Sequence, residues 1–220
     1  MPYNFITKWN VTADASVVVF PITDNFTGDI SWGTGETVGV FNTPTQDVSH
    51  IFQNPTGIKT ISVSGDISGW DYGAYIGDSD CRAEMLLEIQ QDASFSIANT
   101  GTGSFVDATK MTWSAPRAEV LLGAEQNLAN CFLRCASFDG SLGNWDVTNV
   151  TSLEGCFQGC TSFNNNGLKD WTVGKVTDMS GTFKDSSFNG DITSWDVQEV
   201  ANMDNMFNGA TEFDQNINIW

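Results

Sequence analysis

The sequence predicts a mixed architecture: an N-terminal β-sandwich followed by a solenoid in which each repeat contributes a short helix and a short parallel strand. Two observations predict it. Short runs of β-branched and aromatic residues, separated by Asp, Asn, Gly and Pro turns, fill the first 70 residues. From Leu128 onward one apolar pattern is written four times. Phe132 recurs as Phe157, Phe183 and Phe207 in steps of 25, 26 and 24 residues, and Trp145 as Trp171, Trp195 and Trp220 in steps of 26, 24 and 25. A fixed period of this length marks stacked repeats, each covering the apolar side of its neighbour. The chain therefore divides into a sandwich over 1–70, a connector with irregular first repeats over 71–127, and regular repeats over 128–220.

In the first part, Phe5–Trp9, Val17–Phe20, Ile30–Trp32 and Lys59–Val63 read as strands. Among them, Trp32-Gly33-Thr34-Gly35 is followed by His50-Ile51-Phe52, by Gly57, and by the alternating Ile61 and Val63. That order resembles the polycystic kidney disease (PKD) type of immunoglobulin-like domain, over about 60 residues. Thr34 stands where that family carries Asp, which removes a carboxylate from the turn while Gly33 and Gly35 keep its permissive backbone. His50 is the single histidine. With no second His and no nucleophile setting around it, its reading is structural rather than metal-binding or basic. In the connector, Cys81–Ile89 reads as a short helix or a strand, and Phe95 and Ile97 alternate like a strand entering the repeats. Leu86, Leu87 and Ile89 are expected to start one irregular repeat and Val120, Leu121 and Leu122 a second, with the loop Trp113–Pro116 between them.

The repeat itself is clearest over Val150–Cys160. Thr151 suits a helix N-cap, Glu154 follows three residues later as in a capping box, and Leu153, Cys156, Phe157 and Cys160 fall at helical spacing, with Gly159 near the end. Leu168, Trp171 and Val173 close the unit, the last two lying two apart on one face of an expected strand. Leu128, Leu153, Met179 and Met203 form one column, Leu142, Leu168, Ile192 and Ile217 another, and Val147, Val173 and Val197 a third. The resulting pattern, Val-Thr-x-Leu/Met-x-x-x-Phe-x-x-Cys/Ala-x-x-Phe ending in Trp-x-Val, is similar to the 25-residue repeat of BspA-like surface proteins, leucine-rich-repeat relatives also found in mollicute lipoproteins. Residues 128–220 match it closely and 86–127 loosely. The resemblance implies a leucine-rich-repeat-like solenoid after a PKD-like domain, displayed on a surface, without catalysis, and engaged in adhesion.

Composition narrows the function further. Nine Lys and Arg against 27 Asp and Glu give a net charge of -18, which repels nucleic acid and anionic membranes at long range. No apolar run of about 18 residues exists to span a bilayer. Cys131, Cys135, Cys156 and Cys160 stack two per repeat, a set from which zinc ligation or disulfides can be imagined. Their columns continue as Thr182 and Met206, and as Ser186 and Ala210, so each wants only a small or apolar residue, and buried free thiols are expected. Asp139, Asn164, Asn189 and Asp214 form a polar ladder expected to bond backbone amides of neighbouring loops, with calcium as the rival use. Asp146 and Asp196 share a column that Thr172 interrupts. No EF-hand, P-loop, dinucleotide fingerprint or nucleophile elbow occurs. No catalytic, cofactor or metal residue is therefore assigned.

The expectation that results is a non-enzymatic surface module. Lacking a classical secretion signal at Met1–Phe5, it is placed on a phage virion, as a capsid decoration or fibre protein, ahead of a secreted or cell-surface bacterial adhesin. A calcium-dependent carbohydrate-binding or hydrolytic protein is the rival class. The expected partners are other protein chains, and a host-surface protein or glycan. The pattern runs to Trp220 with no polar capping repeat behind it, so Ile217, Ile219 and Trp220 are the expected contact residues.

Overall fold

The computed structural model describes residues 5–220 except 13–16, 22–25, 34, 35, 37, 46, 47, 54, 55, 66, 76–82, 93, 94, 98–100, 115–125 and 165. Thr34, Gly35, Cys81, Ala115, Pro116 and Val120–Leu122, named above, lie outside the described residues. The strands are β1 (Phe5–Val11), β2 (Val17–Val19), β3 (Phe26–Ser31), β4 (Val38–Thr45), β5 (Ser49–Ile51), β6 (Gly57–Gly65), β7 (Ile67–Trp70), β8 (Leu86–Asp92), β9 (Phe95–Ile97), β10 (Thr112–Trp113), β11 (Gln126–Asn127) and β12 (Val150–Ser152). Six of them form one mixed sheet in the order β10-β8-β1-β6-β3-β4, in which only β10 and β8 run parallel. Three two-stranded ladders, β2-β5, β7-β9 and β11-β12, complete the set among the described residues.

Period-2 alternation makes β1. Thr7, Trp9 and Val11 are buried, whereas Ile6, Lys8 and Asn10 are half-exposed. The buried Thr7 is accounted for by the Trp9 indole N–H, which donates to its hydroxyl at 2.7 Å. Opposite, Ile61 and Val63 of β6 and Leu86 and Ile89 of β8 bury the same face. Trp9, Phe20, Trp32, Trp70 and Tyr72 fill the core below it. Phe20 meets Trp32 and Trp70 edge-on at 5.5 Å each, and Trp70 reaches Phe105 at 6.3 Å, where the repeats begin.

The fold class expected from sequence is overturned. The described residues contain no α-helix, and a sandwich leading into a helix-plus-strand leucine-rich-repeat solenoid is not what the chain builds. The Cys81–Ile89 stretch contributes a 3-10 turn at Ala83–Met85 and strand β8, which joins the main sheet. In the Val150–Cys160 unit the helix is replaced by successive tight turns. Cys156, Gln158 and Cys160 donate N–H to the carbonyls of Leu153, Gly155 and Phe157, three residues back. Positive φ at Gly155 (58°) and Gly159 (75°) breaks any α-helix there. Thr151 does not cap; its hydroxyl donates to the Gln126 carbonyl, 25 residues away. Nor does a strand form at Trp171-Thr172-Val173, where Trp171 N–H closes a turn onto Leu168. The short parallel ladder instead runs through β11, β12, Asp178 and Asn202.

Candidate functional site

Each turn layer uses its backbone in two alternating ways. In the layer of Leu153, Gly155, Phe157 and Gly159, these four N–H groups donate to the carbonyls of Asp178, Ser180, Thr182 and Lys184 in the next layer, at 2.8–2.9 Å. Leu128, Asn130, Phe132 and Arg134 do the same to Ser152, Glu154, Cys156 and Gln158, and Met179, Gly181, Phe183 and Asp185 to Asn202, Asp204, Met206 and Asn208. Residues between them close the turns within a layer. All donors of one layer thus act toward one side and its acceptors toward the other, which gives the stack a direction.

The apolar columns follow that ladder. Phe105, Phe132, Phe157, Phe183 and Phe207 stack with centroid separations of 5.2, 5.5, 5.6 and 5.7 Å and near-parallel planes. Phe138, Phe163, Phe188 and Phe213 form a second column at 5.6, 5.8 and 6.3 Å. Trp171, Trp195 and Trp220 form a third at 6.4 and 6.3 Å. The indole N–H groups of Trp171 and Trp195 reach back to the carbonyls of Leu142 and Leu168 at 2.9 Å.

The two ends of the stack differ. At the acceptor end, Tyr72 and Gly73 donate N–H to the carbonyls of Ser104 and Gly103. The buried Asp71 fastens this junction by accepting the Gly73 N–H at 2.9 Å and the Thr102 hydroxyl at 2.5 Å. At the donor end, the N–H groups of Met203, Asn205, Phe207 and Gly209 hold the row's positions and have no acceptor among the described residues. Of the contact residues expected from sequence, Ile219 is 80% exposed, while Ile217 and Trp220 are half-buried. The same face adds Met203, Phe207 and Phe213, which were legible as column members but not singled out. The donor row was missed because backbone direction leaves no mark in side-chain identity.

The remaining candidates resolve as follows. Cys131, Cys135, Cys156 and Cys160 are free and buried, and the thiols of Cys135 and Cys160 donate to the carbonyls of Phe105 and Phe132. Burial pushes all four thiols up, Cys160 to about 12. The Asp139 ladder ties loops together. Asn164 N–H donates to Asp139 Oδ1, Asn189 N–H to Asn164 Oδ1, and Asp214 N–H to Asn189 Oδ1, at 3.3, 3.0 and 2.9 Å. His50 lies flat on Trp32 at 4.7 Å with its Nε2 3.1 Å from Glu36 Oε2. Among the described residues no group of three His, Cys, Asp or Glu converges to hold a metal ion, and no helix is long and apolar enough to cross a membrane.

The geometry defines the second half of the chain as a repeat protein built from stacked turns. Residues 126–220 match the model of a family described as "Mycoplasma protein of unknown function, DUF285". The match covers fewer than half of the 220 residues and does not reach the N-terminal sheet on which the PKD resemblance rests. No curated protein and no solved structure matches the chain.

Proposed function

We propose that the chain is a non-enzymatic, surface-displayed recognition module of the BspA-like kind, whose turn stack engages another protein chain at its donor end. One observation carries this reading: Met203, Asn205, Phe207 and Gly209 offer unpaired N–H groups beside an incompletely covered Phe, Trp and Ile surface. Every earlier layer meets the same pairing of donors and rings with the carbonyls and rings of the next. The complement is therefore a backbone edge that presents carbonyls at alternate residues and an apolar side chain over Phe207. In a longer chain carrying further repeats, the row of donors passes to the last of them.

The setting proposed is the exterior of a virion or of a bacterial cell. Protease shaving and antibody labelling of intact particles and cells test display, and recovery of the protein only from a cytosolic fraction would overturn it. Contact is tested by placing the photocrosslinker p-benzoylphenylalanine at position 219 in the assembled particle or on the cell. A discrete adduct to one other chain is expected there and not with the crosslinker at the exposed Glu199. Adducts of equal yield at both positions would refute engagement through this face.

A further inference from the structure

A second feature lies on the side of the stack, on the surface formed by the turns. A trough of about 340 Å³ crosses successive layers there, with Asn130 and Asn205 at its ends and Gly155 and Gly181 as its floor. These four residues hold one backbone position in four consecutive layers, with φ of 57°, 58°, 61° and 58° for Asn130, Gly155, Gly181 and Asn205. Asn occupies that left-handed conformation at both ends, as its short polar side chain permits. The backbone alone therefore does not demand Gly in the middle. At Gly155 a Cβ would fall 2.7 Å from Asn130 Oδ1, which keeps that position bare, whereas at Gly181 a Cβ would meet nothing closer than Gln158 Oε1 at 3.5 Å, so the hollow there is one a side chain can fill.

Glu154 and Gln158 from one layer, Lys184 from the next and Asp204 from the last line this trough. Among the described residues their side chains make no hydrogen bond or ion pair with the protein, although Lys184 shares the trough with two carboxylates. Two acceptors, one cation and one amide, held apart along a shallow channel, suit a ligand that both donates and accepts at short intervals. A polyanion is disfavoured by the net charge of -18. A peptide side chain finds no apolar pocket in the lining, and an aromatic ligand finds no ring to stack on. The vicinal hydroxyls of a neutral sugar satisfy all of these conditions. The volume falls at the small end of ligand sites, which span roughly 300–1,000 Å³.

We infer that this trough binds a neutral oligosaccharide, its hydroxyls donating to Glu154 and Asp204 and accepting from Lys184 and Gln158. The trough shares Asn205 with the donor row, but sugar binding and contact with another chain are read by separate measurements. The test titrates the full 220-residue protein with maltotriose, cellotriose and chitotriose, followed by saturation-transfer NMR and calorimetry. Saturable binding of at least one is expected, weakened at least tenfold by Gly181→Asn, which fills the floor with a residue that the backbone accepts. Lys184→Met removes a donor without touching the backbone, and the same loss is expected of it should Gly181→Asn misfold. No binding of any of the three sugars, unchanged binding in both variants, or tighter binding of a heparin trisaccharide would overturn the inference.

Discussion

Removing one ring from the middle of the Phe column tests whether the stack stabilises itself layer by layer. Phe157 is fully buried and packs against Phe132, Phe163, Phe183 and Trp171 at centroid separations of 5.5, 4.4, 5.6 and 6.2 Å. Replacing a buried Phe by Ala costs about 3–5 kcal/mol through lost transfer energy and the cavity left behind. Each aromatic pair adds about 0.5–1.5 kcal/mol. Because the hydrogen-bonded layers on both sides hinder collapse of the hole, Phe157→Ala is placed at the top of that range, about 5 kcal/mol. Phe207, in the last layer, is half-buried and has a ring layer on one side only. Its replacement is expected to cost about 2 kcal/mol, scaling the same burial terms by the covered half. Urea unfolding of the two variants measures the contrast. Hydrogen exchange should confine the effect of Phe207→Ala to residues around 203–213, a local opening rather than a global one. Equal losses in the two variants would refute the one-dimensional account, since they would mean that Phe207 is already covered as completely as Phe157.

Three further outcomes follow from the site geometry. Cys131, Cys135, Cys156 and Cys160, whose thiols burial holds above their ordinary range, should resist iodoacetamide at about pH 8.5 and react only in denaturant; peptide mapping that finds Cys135 alkylated in the native protein contradicts this. Burial alone would raise the Glu36 carboxyl, but hydrogen bonds from His50 and the Gln53 backbone hold it below the ordinary 4.5. A depressed folded value adds stability that is present above about 4.5 and is lost as pH falls through the folded value. Glu36→Gln should therefore cost stability at neutral pH, where the carboxylate is paired, and have little effect in acid, which flattens the acid limb below about pH 5; an unchanged acid limb counts against the pairing. Asn164→Ala leaves the Asn189 N–H without its acceptor and should cost about 1 kcal/mol in urea, while Asn164→Asp, which keeps an oxygen there, restores it.

The columns were legible in the sequence because stacking puts identical side chains above one another, and Phe132, Phe157, Phe183 and Phe207 stack where their spacing requires. Their local conformation was misread for a reason that the same residues expose. Leu153 and Phe157 lie four apart, as do Cys156 and Cys160, which fits a helix of period 3.6 over one or two turns and fits a chain of four-residue turns equally well. The discriminating signal was the second set of positions with period four: Asn130 and Arg134, Gly155 and Gly159, Gly181 and Asp185, Asn205 and Gly209 all have positive φ. Gly, Asn and Asp fill seven of these eight places, and those are the residues that tolerate the left-handed region. In the N-terminal part, the strand segments carried β-propensity but no information on pairing. The entry of β8 into the main sheet depends on contacts with β1 such as Lys8 with Glu88, 80 residues apart, at 2.7 Å, and β10 then joins through β8 alone.

The direction of the stack also decides who can bind its open end. Each layer offers donors on one side and acceptors on the other, and in the first layer the carbonyls of Ser104 and Gly103 accept from Tyr72 and Gly73. Head-to-tail addition of a second copy is opposed where Tyr72 and Gly73 already sit on the Ser104 and Gly103 carbonyls. Nor can two copies meet tail to tail with profit, since that sets the N–H groups of Met203, Asn205, Phe207 and Gly209 against the same groups of the other copy, donor facing donor. The apolar columns alone would favour self-association, and the backbone opposes it, so the 220-residue chain is expected to sediment as a monomer at micromolar concentration. A dimer in which exchange of the amides at 203, 205, 207 and 209 is slowed would refute this. The N-terminal part therefore does more than precede the repeats: its Tyr72 and Gly73 N–H groups occupy the Ser104 and Gly103 carbonyls of the first layer, so the two sides of the stack are chemically unlike.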